Sequence, residues 1–150
     1  LLSCCVGRPV AYMAKEELFE IPVLKQAISL YGAYPVKRSQ ADRSAIRAAL
    51  KTLEQGWAAG IFLQGTRTVD GRITQPKLGA AMIAAKAQVP ILPVSLWGTE
   101  KIPQSGTPFP AITARIAEPL PPPISNKREV LESVTQKCAD IINTMHAQGR

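Results

Sequence analysis

Apolar and polar positions follow one another in blocks whose period switches between strand-like and helix-like. Pro9-Val10-Ala11-Tyr12-Met13-Ala14 is a short apolar run after a Gly-Arg turn signal and predicts a buried strand. Lys15-Glu16-Glu17-Leu18-Phe19 follows, acidic as the first turn of a helix prefers. Pro22 stands where a second helix starts, with Val23, Leu24, Ala27 and Ile28 on one face. Gly32 to Val36 predicts another short strand, and Lys37-Arg38 lies just past its C-terminal end. Ser39-Gln40-Ala41-Asp42 has the form of a capping box. Beyond it Ile46, Ala49, Leu50, Leu53 and Trp57 recur at helical spacing, opposite Arg43, Arg47, Lys51 and Glu54, and Gly56 is the stop.

Gly60-Ile61-Phe62-Leu63 predicts a third strand that runs directly into Gln64-Gly65-Thr66-Arg67. Asp70-Gly71 marks a tight turn. Lys77 to Ala87 is a small-residue helix suited to close packing on a sheet. Val89 to Leu96 predicts a fourth strand and Ala111 to Ile116 a fifth. Pro119 to Pro123 is a stiff connector. Asn126 and Glu129 then predict the cap of a last helix, whose apolar face is Val130, Leu131, Val134, Cys138, Ile141, Ile142 and Met145. Alternating strands and helices with apolar strands imply an α/β fold, a parallel or mixed central sheet covered by helices. No linker divides the chain, so residues 1–150 are expected to form a single domain.

Composition narrows the picture. Hydrophobic residues make up 46% and charged residues 19%, a globular balance that excludes a disordered or collagenous chain. Aromatic residues at 5% argue against base-stacking modes of nucleic-acid binding, and no nucleic-acid module is visible. One His and three scattered Cys leave no ligand set for a metal. The odd cysteine count, with Cys4 and Cys5 adjacent, is no disulfide framework and implies a reducing compartment. No stretch reaches the roughly 18–20 apolar residues that span a bilayer. The net charge of +7 suits an anionic membrane surface.

In open α/β sheets ligands bind at the C-terminal ends of strands. Arg38 and Gln64-Gly65-Thr66-Arg67 both fall at such predicted ends. Gly65 permits close backbone approach, Thr66 brings a hydroxyl and Arg67 a bidentate fork, a set suited to phosphate. Arg38 adds a second positive group. Spacing alone favours a glycine turn carrying a solvated Arg, since this is neither a Walker A loop nor a dinucleotide fingerprint. Lys37 reads as a solvated charge as readily as a contact to an anionic head group, and Arg72 reads as a surface charge on a hairpin-like turn. Trp57 and Trp97 read as core or groove wall.

The order of the motifs decides further. Ala14 to Pro22, Gly32 to Arg38, Phe62 to Arg67 and Val89 to Val94 resemble, in succession, four blocks of the glycerolipid acyltransferases, and most closely those that act on lysophosphatidate. The resemblance covers roughly residues 9 to 120; any one block is weakly specific, four in order are strong. It implies transfer of a fatty acyl group from acyl-CoA or acyl carrier protein to the free sn-2 hydroxyl of a lysophospholipid, giving phosphatidate, with no further cofactor. It implies that Arg38, Gln64, Gly65, Thr66 and Arg67 bind the acceptor. It also implies a His-x-x-x-x-Asp motif, with His as general base and Asp orienting it, in the manner of a Ser-His-Asp relay whose Ser is the substrate hydroxyl.

Two departures stand out. No His-x-x-x-x-Asp occurs; the chain opens on Leu1 rather than Met, and the motif is expected upstream of Leu1, together with the region that anchors or docks the enzyme at the cytoplasmic face of a membrane. His146, the single His, reads as an end-of-helix residue. Gln64 stands where the family usually has Glu, keeping length and an acceptor oxygen but not the charge. The alternatives are an acyltransferase for another lysolipid, or a non-catalytic lipid-phosphate-binding protein. The residues upstream of Leu1 separate the latter from the enzyme.

Overall fold

The structure is a computed structural model. It describes residue 3 and residues 6–36, 43–65, 70–99 and 111–149, and divides into two compact units, Leu1–Ile61 and Phe62–Arg150.

The first unit is built on β1 (Val10–Lys15), flanked by β2 (Tyr34–Val36) and β3 (Ala58–Gly60) in the order β2-β1-β3, all parallel. The central strand is shared in halves. Its first residues pair with β3, Val10 opposite Ala58 and Tyr12 opposite Gly60. Its last residues pair with β2, Met13 opposite Tyr34 and Lys15 opposite Val36. Parallel neighbours need crossover segments. A 3-10 turn (Glu16–Phe19) and helix α1 (Pro22–Leu30) link β1 to β2, and helix α2 (Arg43–Glu54) precedes β3. Helix α2 lies against all three strands and buries Ala45 and Ala49, small side chains that allow close approach.

Both crossovers end in the same way. Gly32 (φ +72) follows α1 and Gly56 (φ +79) follows α2, each in the left-handed region that a Cβ disfavours. After α1, Gly32 N–H donates to Ser29 O (2.9 Å) and Ala33 N–H to Ile28 O (2.9 Å). After α2, Gly56 N–H donates to Leu53 O (3.0 Å) and Trp57 N–H to Thr52 O (3.2 Å). These are paired Schellman bonds, each turning the chain into a strand within two residues. The two motifs meet, because the space where a Gly32 Cβ would stand is filled by the Trp57 ring.

In the second unit, helix α3 (Gly79–Ala87) and helix α4 (Arg128–Ala147) pack on each other, and α4 packs on β4 (Val94–Trp97). Strand β5 (Thr113–Ile116) runs antiparallel to β4, Val94 opposite Ile116 and Trp97 opposite Thr113. The core gathers Leu63, Leu120, Cys138 and Ala139, with Ile73, Ala80, Ile91, Ile141 and Ile142 against it. Burial pushes the Cys138 thiol above its ordinary pKa, leaving a packing residue with little thiolate character.

The α/β class, with helices on a parallel sheet, agrees with the expectation. Several details differ. The third strand is Ala58–Gly60 instead of Gly60–Leu63, so three residues separate its end from Gln64. The ring of Tyr12 explains the choice: a Cβ at position 60 would lie 2.5 Å from it, and only Gly fits opposite β1. The fourth strand is shortened to Val94–Trp97, because Pro90 and Pro93 have no N–H for a ladder. Ile91 survives as an isolated antiparallel bridge to Leu120. Helix α1 buries no residue; Val23 is 80% exposed, and Leu24 and Ile28 are half-buried. Trp57 lies beyond the end of α2. Helix α4 starts at Arg128 with Lys127 at the cap position and no side-chain cap, so Asn126 does not cap it. The Ser39–Asp42 box, Lys37 and Cys4-Cys5 lie outside the described residues.

Gly32→Ala is expected to destabilise by about 2–5 kcal/mol, combining left-handed strain with overpacking against Trp57. Gly56→Ala, with nothing within 4 Å of its Cβ position, should cost only about 1–2 kcal/mol. Urea unfolding of both variants checks the order. Tyr34 is 8% exposed, and its hydroxyl has no partner among the described residues. Burial raises its pKa from 10.0 to about 12. The folded state therefore holds this proton where the unfolded state releases it, so the contribution is intact below pH 10 and is lost as pH rises through 12. By pH 11 the loss is about 1.4 kcal/mol. Tyr34→Phe should flatten that slope in urea titrations at pH 8 and pH 11; an unchanged slope would contradict it.

Candidate functional site

Gln64 and Gly65, the described part of the phosphate-suited motif, lie in a turn that starts at Phe62 and includes a core residue. Leu63 is buried in the second unit, while Phe62 before it is exposed. Gly65 N–H donates to Phe62 O (3.0 Å), closing a turn, and Gly65 takes φ +75. A side chain there would be strained by the backbone angle, while a Cβ would meet only Lys77 Cγ, at an ordinary 3.5 Å. Lys77 N–H donates to Leu63 O (2.8 Å), so the chain returns beside the turn. Arg38, Thr66 and Arg67 lie outside the described residues. Of the five predicted acceptor-binding residues, Gln64 and Gly65 are the two whose surroundings the structure gives.

Gln64 is half-buried and turns its carboxamide onto the returning chain. Its Oε1 accepts from two consecutive backbone amides, Thr74 (3.0 Å) and Gln75 (3.2 Å). Its Nε2 lies 3.4 Å from Thr74 Oγ1, as donor to that hydroxyl. A carboxylate would accept the same two N–H groups; the amide does so without charge.

The far side of the segment 70–75 is held by α4. Asn143 Oδ1 accepts from Ile73 N–H (2.9 Å) and its Nδ2 donates to Ile73 O (2.9 Å). This reciprocal pair imitates a strand neighbour. His146 Nε2 lies 3.1 Å from Asp70 O, a carbonyl that can only accept, so Nε2 is the protonated nitrogen. Gly71 (φ +68) makes room for the imidazole; a Cβ there would fall 2.5 Å from Nε2. Asp70 Oδ1 accepts from Arg72 N–H (3.1 Å), completing the tight turn, and Arg72 is exposed. His146 is thus an end-of-helix residue with a structural hydrogen bond.

Sequence reading did not single out Asn143. Its signal was present: a carboxamide one helical turn after Ala139 on the buried stripe of α4, where an apolar residue is the rule.

Residues 1–97 match the family described as Acyltransferase. The chain is 37% identical over 106 residues to the 1-acyl-sn-glycerol-3-phosphate acyltransferase BAT2, chloroplastic, of Brassica napus, covering 68% of this chain and 30% of that one. It is 35% identical over 89 residues to the 1-acyl-sn-glycerol-3-phosphate acyltransferase of Bacillus subtilis, covering 59% and 44% respectively. The crystal structure of the 1-acyl-sn-glycerophosphate (LPA) acyltransferase PlsC from Thermotoga maritima superposes with a TM-score of 0.65 at 31% identity, over 89% of this chain and 56% of that one. The chain spans less than half the length of these two curated relatives. With a family match over 97 of 150 residues, the ordered blocks and the α/β core have one common account: the chain belongs to the acyltransferase family.

Proposed function

We propose that this chain is the acceptor-binding part of a 1-acyl-sn-glycerol-3-phosphate acyltransferase. The observation that carries the reading is the motif Gln64-Gly65-Thr66-Arg67, in its block order, within a chain whose relatives bear that activity in their names. The acceptor is lysophosphatidate. The residues proposed to bind it, carried over from the resemblance, are Arg38, Gln64, Gly65, Thr66 and Arg67, of which an Arg fork and backbone N–H groups suit a phosphate. The acyl donor, acyl-CoA or acyl carrier protein, is a substrate, and the reaction needs no resident cofactor.

In the proposed reaction the sn-2 hydroxyl attacks the thioester carbonyl. A C–O ester bond forms and the C–S bond breaks. The hydroxyl proton passes to a histidine base and then to the departing thiolate. The base belongs to a His-x-x-x-x-Asp motif expected upstream of Leu1. His146 does not occupy the place of that base: it stands on the last helix, after the family-like blocks rather than before them, where its Nε2 donates to Asp70 O. Among the described residues no helix is long and apolar enough to cross a membrane. The proposed partner is an anionic membrane surface, met by the basic excess of +7 at its cytoplasmic face.

Arg67→Ala in the full-length protein should raise KM for lysophosphatidate about 10- to 150-fold, the equivalent of one charge-assisted contact of about 1.5–3 kcal/mol. KM for the acyl donor should move little. Unchanged acceptor kinetics in a folded variant would remove Arg67 from the site. Residues 1–150 produced alone should show no acyl transfer above background, since a missing general base costs about 10²–10⁴ in rate. A radiolabelled acyl-CoA assay with and without the native upstream sequence decides this. Robust turnover by residues 1–150, insensitive to replacement of His146, would sink the proposed mechanism.

A further inference from the structure

The sequence reading starts the third helix at Lys77, yet α3 begins at Gly79 and leaves Lys77 on the chain that leads into it. The backbone of that chain is fixed. Lys77 N–H donates to Leu63 O (2.8 Å), and the amides of Thr74 and Gln75 just before it donate to Gln64 Oε1. The Lys77 side chain then runs along Gly65. Among the described residues, the atom that a Gly65 Cβ would meet is Lys77 Cγ, at an ordinary packing distance of 3.5 Å. The ammonium is carried farther out, at the end of a flexible stem.

Lys77 is exposed, and its ammonium has no hydrogen bond or ion pair among the described residues. Gln64 holds the neighbouring amides with a neutral oxygen, so it brings no carboxylate to pair with that charge. Nor does the charge serve α3. A helix favours anions at its N-terminus, and Leu78 stands at the cap position directly after Lys77. What remains is an uncompensated cation whose stem is fixed beside a glycine with no side chain in the way. That pair suits an anionic oxygen better than a neutral one.

We propose that Lys77 is a further binding residue of the acceptor site, its ammonium meeting a phosphate beside Gly65. This rests on the lysophosphatidate reading above and deepens it. The ligand chemistry is a phosphate dianion, carried by a lysolipid headgroup or free in solution.

The test uses the full-length protein. Lys77→Gln should raise KM for lysophosphatidate about fivefold, the upper end for an exposed charge pair, with KM for the acyl donor unchanged. Lys77→Arg should stay within about twofold of wild type, because the charge is kept. A merely structural role would lower the melting temperature of Lys77→Gln and leave both KM values unchanged, and that result overturns the proposal. The wild-type protein supplies an arm that depends on no variant's folding. With its lysines isotope-labelled at Cε, the Lys77 resonance should shift saturably with short-chain lysophosphatidate below its micelle concentration. It should shift with inorganic phosphate at higher concentration, and stay still with the neutral monoacylglycerol of the same chain. An equal shift with monoacylglycerol overturns the phosphate contact. A Lys77 resonance that ignores lysophosphatidate while Arg67→Ala raises its KM removes Lys77 from the site and leaves the acceptor reading standing. A resonance that follows inorganic phosphate in a protein that binds no lysophosphatidate supports the phosphate contact and removes the acceptor reading instead.

Discussion

Backbone amides that join no sheet or helix still find partners, and the need is strongest where the segment is shielded from water, as at half-buried Ile73. In the second unit side chains supply those partners beside the turn that ends at Gly65. Between Asp70 and Gln75 the amides of Thr74 and Gln75 are met by the side-chain oxygen of Gln64 and that of Ile73 by the carboxamide of Asn143 on the last helix. Ile73, held in this way, adds its side chain to the core around Leu63, Leu120 and Cys138. Hydrogen bonding and apolar packing thus fix the same segment. Leu63 joins the two, because it is a core residue and also lies within the turn from Phe62 to Gly65.

The first unit solves a related problem with glycine. A parallel strand must be reached by a crossover that ends abruptly, and a helix ends most abruptly through a left-handed residue. Gly32 and Gly56 do this for β2 and β3, and Trp57 fills the space that Gly32 leaves. Their positions set where β2 starts, and β2 is the strand that leads to Lys37-Arg38. The buried Tyr34 sits at the first position of that strand, so the stop, the strand and its core contact are encoded within three residues.

Much of this was legible in the residues. Val10 to Ala14, Tyr34 to Val36 and the long apolar stripe of α4 announce themselves by pattern, and Gly32 and Gly56 by their place after helical runs. The errors share a cause. Ile61-Phe62-Leu63 is more apolar than Ala58-Ala59-Gly60 and drew the third strand toward itself, yet pairing depends on what fits beside Tyr12. Hydrophobicity is a property of one segment, and register is a property of two. The same limit hid Asn143, whose partner lies 70 residues away, and it made Val23 look like core on a helix that buries nothing. The phosphate-suited motif was read from local chemistry and strand-end position, glycine for the backbone with hydroxyl and guanidinium beside it, and block order then supported it. Of its residues Gln64 and Gly65 are described, while Arg38, Thr66 and Arg67 lie outside the described residues.

The Gln in place of the family's usual Glu is the place where local chemistry and tertiary role meet. Judged as a ligand, Gln64 is a loss of charge. Judged by its contacts, it is an oxygen that accepts from Thr74 and Gln75, with a nitrogen left over for Thr74 Oγ1. A carboxylate would make the two N–H contacts stronger, since charged acceptors are worth roughly twice neutral ones. It would also set a negative charge one residue before the glycine of a turn proposed to receive a phosphate. The amide gives up strength in the hold and removes that repulsion. The substitution is therefore conservative in geometry and altered only in electrostatics. For a residue that holds backbone, geometry is the property that must be kept.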